Sequence, residues 1–447
     1  MRKYIYRASF TAMLAMAFIS ADAERLNFYG RDAATVGVYI TNLSTGQAVE
    51  KENINMSMIP ASILKSVTSA TALCLLDENF RYNTDVMLHG ELQGNMLDGN
   101  LVVKASGDPT IESSHFLNRR GFEDMIVEAL KSRNISVING EIIVDEDMFS
   151  DTGQCPQWVI EDTGWDYGAG FYGFNYCNNT FRLYPESEKT IPQVPYIDVM
   201  VEKTDAGTDI ERGVNSDIYI VSGRNVENKN FYVTTTMNSP STVFAYNMRD
   251  RLQREGIKVN DNVIEPCGET TRLLRYQSPV NVDMLRVMMF DSDNMMAEAT
   301  LRALAPGQSR KAAINKEISY WKSRGLETSF IKIADGSGLA RIDRVTPKFM
   351  ADVLTYMAKN SHADTFVSLF PKVGREGTVK NFLKNTALDG KLVLKSGSMN
   401  GVHCYAGYKI GTNGKPTHAV VVIVNNFFCS RDVLRKEIQR FLLAVFK

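Results

Sequence analysis

Residues 60–65 read Pro-Ala-Ser-Ile-Leu-Lys and open a helix that we predict over residues 62–76. Ser62 and Lys65 are three residues apart, so their side chains face the same side of the first helical turn. An amine at that distance can accept the proton of the hydroxyl, which is the arrangement of a nucleophile beside its base. A serine that merely caps a helix would look the same, so the pattern needs support from the rest of the chain.

The two ends of the chain read as strands, with helices between them. Residues 35–40 alternate in the manner of a strand and are followed by a turn, and residues 391–398, 402–410 and 417–426 read as three more strands. Ser430 then caps a last helix whose apolar residues recur at helical spacing. This order predicts one α/β domain whose sheet combines the opening hairpin with the last three strands.

The middle of the chain has a different character. Short β-like runs such as residues 100–104 and 140–144 alternate there with Gly and Asn turns. We therefore predict a large, mainly β insertion over residues 81–266, composed of two small β-rich subdomains. The main domain would then comprise residues 24–80 and 267–447.

The first residues indicate export. A basic start is followed by an apolar run over residues 8–19 and by the small-residue pattern Ala21-Asp22-Ala23, which is typical of a secretory signal cleaved after residue 23. The apolar run is shorter than the roughly 20 residues that a bilayer-spanning helix needs. We expect a periplasmic protein, soluble or loosely associated with the membrane.

Composition argues against several classes of function. Lys and Arg number 50 against 51 for Asp and Glu, so there is no basic field to hold nucleic acid. The 5 histidines show no metal-ligand spacing, so we expect no metal and no cofactor.

The 6 cysteines leave disulfide connectivity open. Cys155 and Cys177 are the most plausible pair by proximity, and Cys74 is expected to be a buried free thiol.

Two further motifs carry side chains suited to chemistry. Ser292-Asp293-Asn294 lies where one predicted helix ends and the next begins, and a turn there lets Ser292 and Asn294 converge on a common site. Lys395-Ser396-Gly397 ends a predicted strand, with Ser398 beyond it. It offers a cation, a hydroxyl and a glycine against which a substrate backbone can lie. Alone, each motif also fits an ordinary capping turn or strand end.

The order of the three motifs resembles the signature of serine β-lactamases and penicillin-binding proteins, namely Ser-x-x-Lys, Ser-x-Asn and Lys-Ser-Gly. Longer blocks across nearly the whole mature chain resemble the low-molecular-mass class C penicillin-binding proteins, the D-alanyl-D-alanine carboxypeptidase/endopeptidase family. These blocks are Pro60-Ala61-Ser62, Ser106-Gly107-Asp108-Pro109-Thr110, Ser292-Asp293-Asn294 with Glu298, Asp335-Gly336-Ser337-Gly338-Leu339, and Leu394-Lys395-Ser396-Gly397-Ser398. Two positions depart from the family: Ser396 stands where it usually has Thr, and Met399 where it usually has Leu.

The resemblance implies a serine β-lactamase/transpeptidase-like domain, an antiparallel sheet with helices, carrying the insertion. It implies cleavage of D-alanyl-D-alanine-type bonds in peptidoglycan stem peptides through an acyl-enzyme at Ser62, and covalent inhibition by β-lactams. Lys65 would be the base, helped by the cation of Lys395, and Ser292 and Asn294 would complete the catalytic group. Oligomeric state and the balance of carboxypeptidase and endopeptidase activity stay open.

Substrate binding would fall to Ser396, Gly397 and Ser398. Residues 158–169 resemble the family's Trp-rich block in the insertion, which puts Asp162 on the acidic position facing a side-chain amine of the substrate. A simple exposed loop carboxylate is the alternative for Asp162.

Three other functions stay possible for the same fold. A class A β-lactamase would have Glu-x-x-x-Asn after the second motif, and no Glu after Asn294 has Asn at that spacing. An esterase of the same fold and a catalytically inactive wall-binding protein are the others. The intact motif residues argue against the inactive protein.

Overall fold

The computed structural model describes residues 25–264 and 268–447. The predicted signal peptide, residues 1–23, and Cys267 lie outside the described residues. In chain order the strands are β1 (Thr35–Asn42), β2 (Ala48–Glu52), β3 (Asn83–Gln93), β4 (Met96–Lys104), β5 (Val137–Ile138), β6 (Ile142–Asp145), β7 (Thr180–Tyr184), β8 (Lys189–Ile191), β9 (Asp198–Lys203), β10 (Asp209–Arg212), β11 (Ile218–Gly223), β12 (Val233–Thr236), β13 (Lys258–Val259), β14 (Thr270–Gln277), β15 (Leu392–Met399), β16 (Val402–Ile410) and β17 (Pro416–Asn425).

The α-helices follow the same chain order. They are α1 (Lys65–Leu76), α2 (Phe122–Ser132), α3 (Pro240–Arg254), α4 (Asn281–Asp291), α5 (Asn294–Ala303), α6 (Arg310–Ser323), α7 (Pro347–Met357), α8 (Ala363–Ser368) and α9 (Arg431–Val445). Among the described residues, no helix combines the length and the apolar character needed to cross a membrane.

A five-stranded antiparallel sheet joins the two ends of the chain in the order β15-β16-β17-β1-β2. Strand β17 is buried on both faces, since Val420, Val422 and Val424 pack toward α9 whereas Ala419, Val421 and Ile423 pack toward the other helices. Ser430 caps α9 as predicted, by accepting a hydrogen bond from the Val433 N–H. The predicted α/β fold with an antiparallel sheet is confirmed, and β15 is one of the two edge strands of the sheet.

The insertion is mainly β, as predicted. It contains a six-stranded sheet, ordered β13-β5-β4-β3-β14 with β6 beside β4, and two three-stranded sheets. Buried apolar residues from Val86 to Tyr276 form one cluster that these sheets share with α2 and α3. Division into two subdomains therefore remains a prediction. Strand β14 pairs with β3 although it follows residue 266, and the bounds of the insertion, residues 81–266, remain a prediction as well.

The suggested disulfide between Cys155 and Cys177 is wrong, because both are free thiols. Proximity along the chain was the only argument for it, and the fold gives the two residues different neighbours. The Cys155 thiol lies 3.6 Å from the carbonyl oxygen of Ala334, whereas Cys177 packs against the core of the insertion. Cys74 is a free thiol as expected, although it is only partly buried.

Candidate active site

Ser62 lies in a tight turn rather than in the first turn of α1. Residues Ala61–Leu64 form a 3-10 helix, and α1 begins only at Lys65. Ala61 has φ 46°, a left-handed conformation that costs free energy for a residue with a Cβ. The surroundings hold this strained turn in place. Gly338 packs so closely that a Cβ there would lie 2.0 Å from the Ala61 carbonyl oxygen.

The amine of Lys65 contacts three oxygens that come from distant parts of the chain. Its Nζ lies 3.1 Å from Ser62 Oγ, 2.6 Å from Asn294 Oδ1 and 2.8 Å from the Ser337 carbonyl oxygen. Lys65 is fully buried, and this burial lowers its pKa to about 8, against the opposing effect of nearby carboxylates. About a tenth of the amines are then neutral at pH 7. A neutral amine in contact with Ser62 is able to accept its proton.

Lys395 is a second buried amine in the same site. Its Nζ donates to Ser292 Oγ at 2.9 Å and to the Ser396 carbonyl oxygen at 2.9 Å. Burial, followed by the charge of Lys65, lowers the pKa of Lys395 well below its usual value. From the sequence we expected partial burial and the Lys395 cation together to lower the pKa of Lys65, and burial is the largest cause for each lysine.

The second motif bridges two helices. Ser292 ends α4 in a left-handed conformation with φ 64°, and Asp293 caps α5 by accepting from the Met296 N–H at 2.7 Å. Asn294 opens α5 and also donates through Nδ2 to the Tyr167 carbonyl oxygen at 2.8 Å. The amide of Asn294 thereby connects Lys65 to the Trp-rich segment of the insertion.

The edge strand β15 completes the site. Its side chains alternate, so that Lys395 and Gly397 face the helices while Ser396 and Ser398 face the other way. A Cβ on Gly397 would lie 2.8 Å from the Pro60 carbonyl oxygen and 3.0 Å from the Ser62 nitrogen. Only glycine therefore lets this strand approach the Ser62 turn.

The buried carboxylate of Asp335 holds the loop that contacts Lys65. Asp335 accepts hydrogen bonds from Trp158 Nε1 at 2.7 Å and from the backbone N–H groups of Gly338 at 2.6 Å and Ala340 at 2.8 Å. These contacts fix the loop whose Ser337 carbonyl contacts Lys65. The block Asp335-Gly336-Ser337-Gly338-Leu339 was noticed in the sequence only as a resemblance, and its position here supplies its structural role.

Asp162 lies apart from this cluster. Its carboxylate accepts a hydrogen bond from the Tyr167 hydroxyl at 3.0 Å, and partial burial raises its pKa. Tyr167 also provides the carbonyl oxygen that contacts Asn294. Two hydrogen bonds, both made by Tyr167, therefore connect Asp162 to Asn294, which contacts Lys65. Of the two tryptophans in this segment, Trp158 is turned toward Asp335, whereas Trp165 stacks on Tyr167 with ring centroids 6.5 Å apart.

The sequence did not reveal His115, a residue of the insertion that lies beside the second motif. Its ring nitrogens lie 3.4 Å from Asp291 and 3.4 Å from Asp293, the residues on either side of Ser292. The hydrogen bond to Asp293 is the largest cause that raises the pKa of His115. A single histidine far from the motif in sequence carries no signal that could have revealed this contact.

Two serines, two lysines and an asparagine lie together beside the edge strand β15, an arrangement that fits the serine acyl-transfer sites of β-lactamases and penicillin-binding proteins. The model of the D-Ala-D-Ala carboxypeptidase 3 (S13) family matches residues 22–443. The chain belongs to this family, and it is a serine-type D-Ala-D-Ala carboxypeptidase. The predicted family and enzyme class are confirmed.

Known relatives match this chain along most of their length. The D-alanyl-D-alanine carboxypeptidase DacB of Haemophilus influenzae is 26% identical over 421 residues, which cover 89% of this chain and 86% of that protein. The D-alanyl-D-alanine carboxypeptidase of an Actinomadura species is 22% identical, over 87% of this chain and 78% of its own. The crystal structure of penicillin-binding protein 4 (dacB) from Haemophilus influenzae matches with a TM-score of 0.79 and 25% identity, covering 93% of this chain and 97% of that one.

The close approach of β15 to Ser62 makes Gly397 a test of the geometry. We expect Gly397→Ala to push the strand away from the Ser62 turn and to slow acylation by a fluorescent penicillin about tenfold or more, because small displacements of a preorganised site are costly. Gly207→Ala is the matched control, because nothing lies within 4 Å of a Cβ at that position. An acylation rate equal to that of the unmodified protein would show that the strand is not held against Ser62.

Proposed function

We propose that Ser62 attacks the carbonyl of the penultimate D-alanine of a stem peptide while Lys65 accepts its proton. The observation that carries this assignment is the buried amine of Lys65, 3.1 Å from Ser62 Oγ, with a pKa of about 8. A base with a pKa near the working pH combines a sizeable neutral fraction with a useful driving force for proton transfer.

Lys395 and Ser396 would receive the carboxylate of the terminal D-alanine. Ser396 Oγ is paired with Thr378 Oγ1 at 2.7 Å, and the Lys395 amine contacts the backbone carbonyl of the same serine. An arriving carboxylate favours the charged form of Lys395. A charged Lys395 in turn disfavours a proton on Lys65, so binding of an anionic substrate would itself prepare the neutral base.

Ser292 would give a proton to the leaving nitrogen and regain one from Lys395, which it contacts. During acylation one proton moves from Ser62 to Lys65 and another moves from Lys395 through Ser292 to the leaving group. The two lysines together therefore keep the same number of protons.

Backbone N–H groups of Ser62 and Ser398 would bind the oxyanion, a contribution of roughly 3 kcal/mol for each donor. Water then hydrolyses the acyl-enzyme.

Three further assignments belong to this proposal. A β-lactam, whose carboxylate mimics that of the peptide, would acylate Ser62 and inhibit the enzyme, as the complex of the Haemophilus influenzae protein with a β-lactam supports. A cross-linked peptide would be cut by the same chemistry when the leaving amine belongs to a second stem peptide. The signal pattern of residues 1–23 supports export to the periplasm, where these substrates occur.

Replacement of the nucleophile tests the proposal directly. We expect Ser62→Ala to abolish both penicillin labelling and D-alanine release, because the acyl-enzyme has no oxygen on which to form. Thermal unfolding of the variant should stay close to that of the unmodified protein, which separates loss of chemistry from loss of fold. Penicillin labelling that persists on another serine would refute the assignment.

The pKa of Lys65 predicts the pH dependence of acylation. We expect the second-order rate constant with a penicillin to rise about tenfold per pH unit below pH 7 and to level off above about 8, because the neutral amine is the reactive form. Lys65→Arg should be nearly inactive throughout, since a guanidinium is not a neutral base in this range. A rate that falls as the pH rises from 6 to 8 would contradict the role of Lys65.

Asp162 would select substrates that carry a free side-chain amine, through a partly desolvated ion pair. We expect Asp162→Asn to slow cleavage of such peptides about tenfold, the loss of one charge-assisted hydrogen bond, and to leave small penicillins nearly unaffected. Glu161→Gln, an exposed neighbour, is the control variant. Equal slowing on peptides with and without the amine would place Asp162 outside the specificity site.

A further inference from the structure

A cavity of about 500 Å³ opens beside β15, on the face of the sheet that carries α9. Its walls come from the end of α4, from the segment 377–382 and from α9, and the strand β16 contributes Tyr405. Phe382 stacks on Tyr405 with ring centroids 4.2 Å apart and gives the cavity a rigid aromatic wall. None of the catalytic side chains Ser62, Lys65 or Lys395 lines this space.

Two contacts join the cavity to the catalytic strand. Thr378 lines the cavity and lies 2.7 Å from Ser396 Oγ. Tyr405 stands opposite Ser396 in the sheet, and its hydroxyl lies 3.1 Å from His403, whose other ring nitrogen lies 3.3 Å from Ser398 Oγ. The cavity therefore adjoins Ser396, the residue proposed to receive the carboxylate of the leaving group.

The charges in the cavity suit an anion. Lys380 is exposed, and Arg435 projects from α9 with a buried Nε that has no hydrogen-bond partner among the described residues. Arg435 is paired only loosely, at 3.4 Å, with Asp432, a carboxylate that is 77% exposed. Arg431 and Arg435 also contribute to the lowered pKa of His403, so their positive field reaches the strand. Asp291 is the acidic residue in the lining, and it lies 3.4 Å from the His115 ring.

The size of the cavity exceeds the needs of a carboxypeptidase. A departing D-alanine has a single carboxylate, for which Ser396 and Lys395 already account. A cross-linked substrate has a far larger leaving group, because the departing amine belongs to a second stem peptide that bears its own C-terminal carboxylate. Such a group must extend beyond Ser396, and it is anionic.

We propose that this cavity is the subsite for the second stem peptide of a cross-linked substrate, with Lys380 and Arg435 binding its C-terminal carboxylate. The inference rests on the proposed function and concerns the leaving-group side of the same site. Charge-assisted hydrogen bonds from a partly desolvated arginine and a lysine supply the affinity. The subsite would give the enzyme its endopeptidase activity on top of simple D-alanine release.

The test compares two substrates on the same protein preparations, a cross-linked peptide dimer and the uncross-linked pentapeptide. We expect Lys380→Gln and Arg435→Gln each to lower the ratio of kcat/KM for the dimer to kcat/KM for the pentapeptide about fivefold, mainly through KM. Lys380→Glu should lower the ratio further, because it replaces attraction with repulsion. Lys384→Gln and Lys436→Gln are matched controls, since both lysines are exposed neighbours outside the cavity lining.

A further substrate tests the role of the carboxylate charge on the second stem peptide. A dimer whose second stem peptide ends in a carboxamide should be cleaved equally well by the unmodified protein and by Lys380→Gln. An unchanged ratio in the cavity variants, or equal loss on dimer and pentapeptide, would overturn the subsite while leaving the proposed function intact. An unmodified protein that cleaves the pentapeptide but not the dimer would also overturn it. An unmodified protein that cleaves neither would reject the proposed function and the subsite together.

Discussion

Burial of the Lys65 amine is the constraint on which the rest of the site depends. A lysine removed from water is stable only if its protons meet acceptors and its charge is partly relieved. Here the acceptors are Ser62, Asn294 and the Ser337 carbonyl, which belong to segments far apart in the chain. One buried amine therefore requires the strained turn, the start of α5 and the loop after Asp335 to meet at a single point.

The insertion shares in this assembly, although it lies outside the five-stranded sheet. Trp158 donates to Asp335, the Tyr167 carbonyl accepts from Asn294, and His115 lies between the carboxylates that flank Ser292. The contacts to Asp335 and to the carboxylates beside Ser292 act through neighbouring residues, whereas the Tyr167 contact is made to Asn294 itself. The insertion thus stabilises the site through these contacts. The strand β15 lies at the edge of the sheet, where a peptide can bind alongside it.

The sequence predicted best those features that depend on residues close together in the chain. Ser62 and Lys65 are linked by helical spacing, the terminal strands by alternation, and the helix after Ser430 by its cap, so each could be predicted from a few neighbouring residues. His115, Thr378 and the Trp158–Asp335 hydrogen bond depend on segments 100 or more residues apart meeting in space, or on a loop whose path no periodicity describes. The Cys155–Cys177 pairing failed for the same reason, since nearness along the chain did not produce nearness in the fold.

The carboxyl groups behind Lys65 explain why its pKa stops near 8 rather than falling further. Asp335, Asp293, Glu298 and Asp343 all favour the charged amine, and burial opposes them. Burial also raises the pKa of Glu298 to about 7 and that of Asp343 well above its usual value. A carboxyl whose pKa is raised attracts the amine less than a full charge would once it takes up a proton. Burial alone would lower the pKa of Lys65 further, and the four carboxyls limit that fall, so the amine keeps a pKa of about 8.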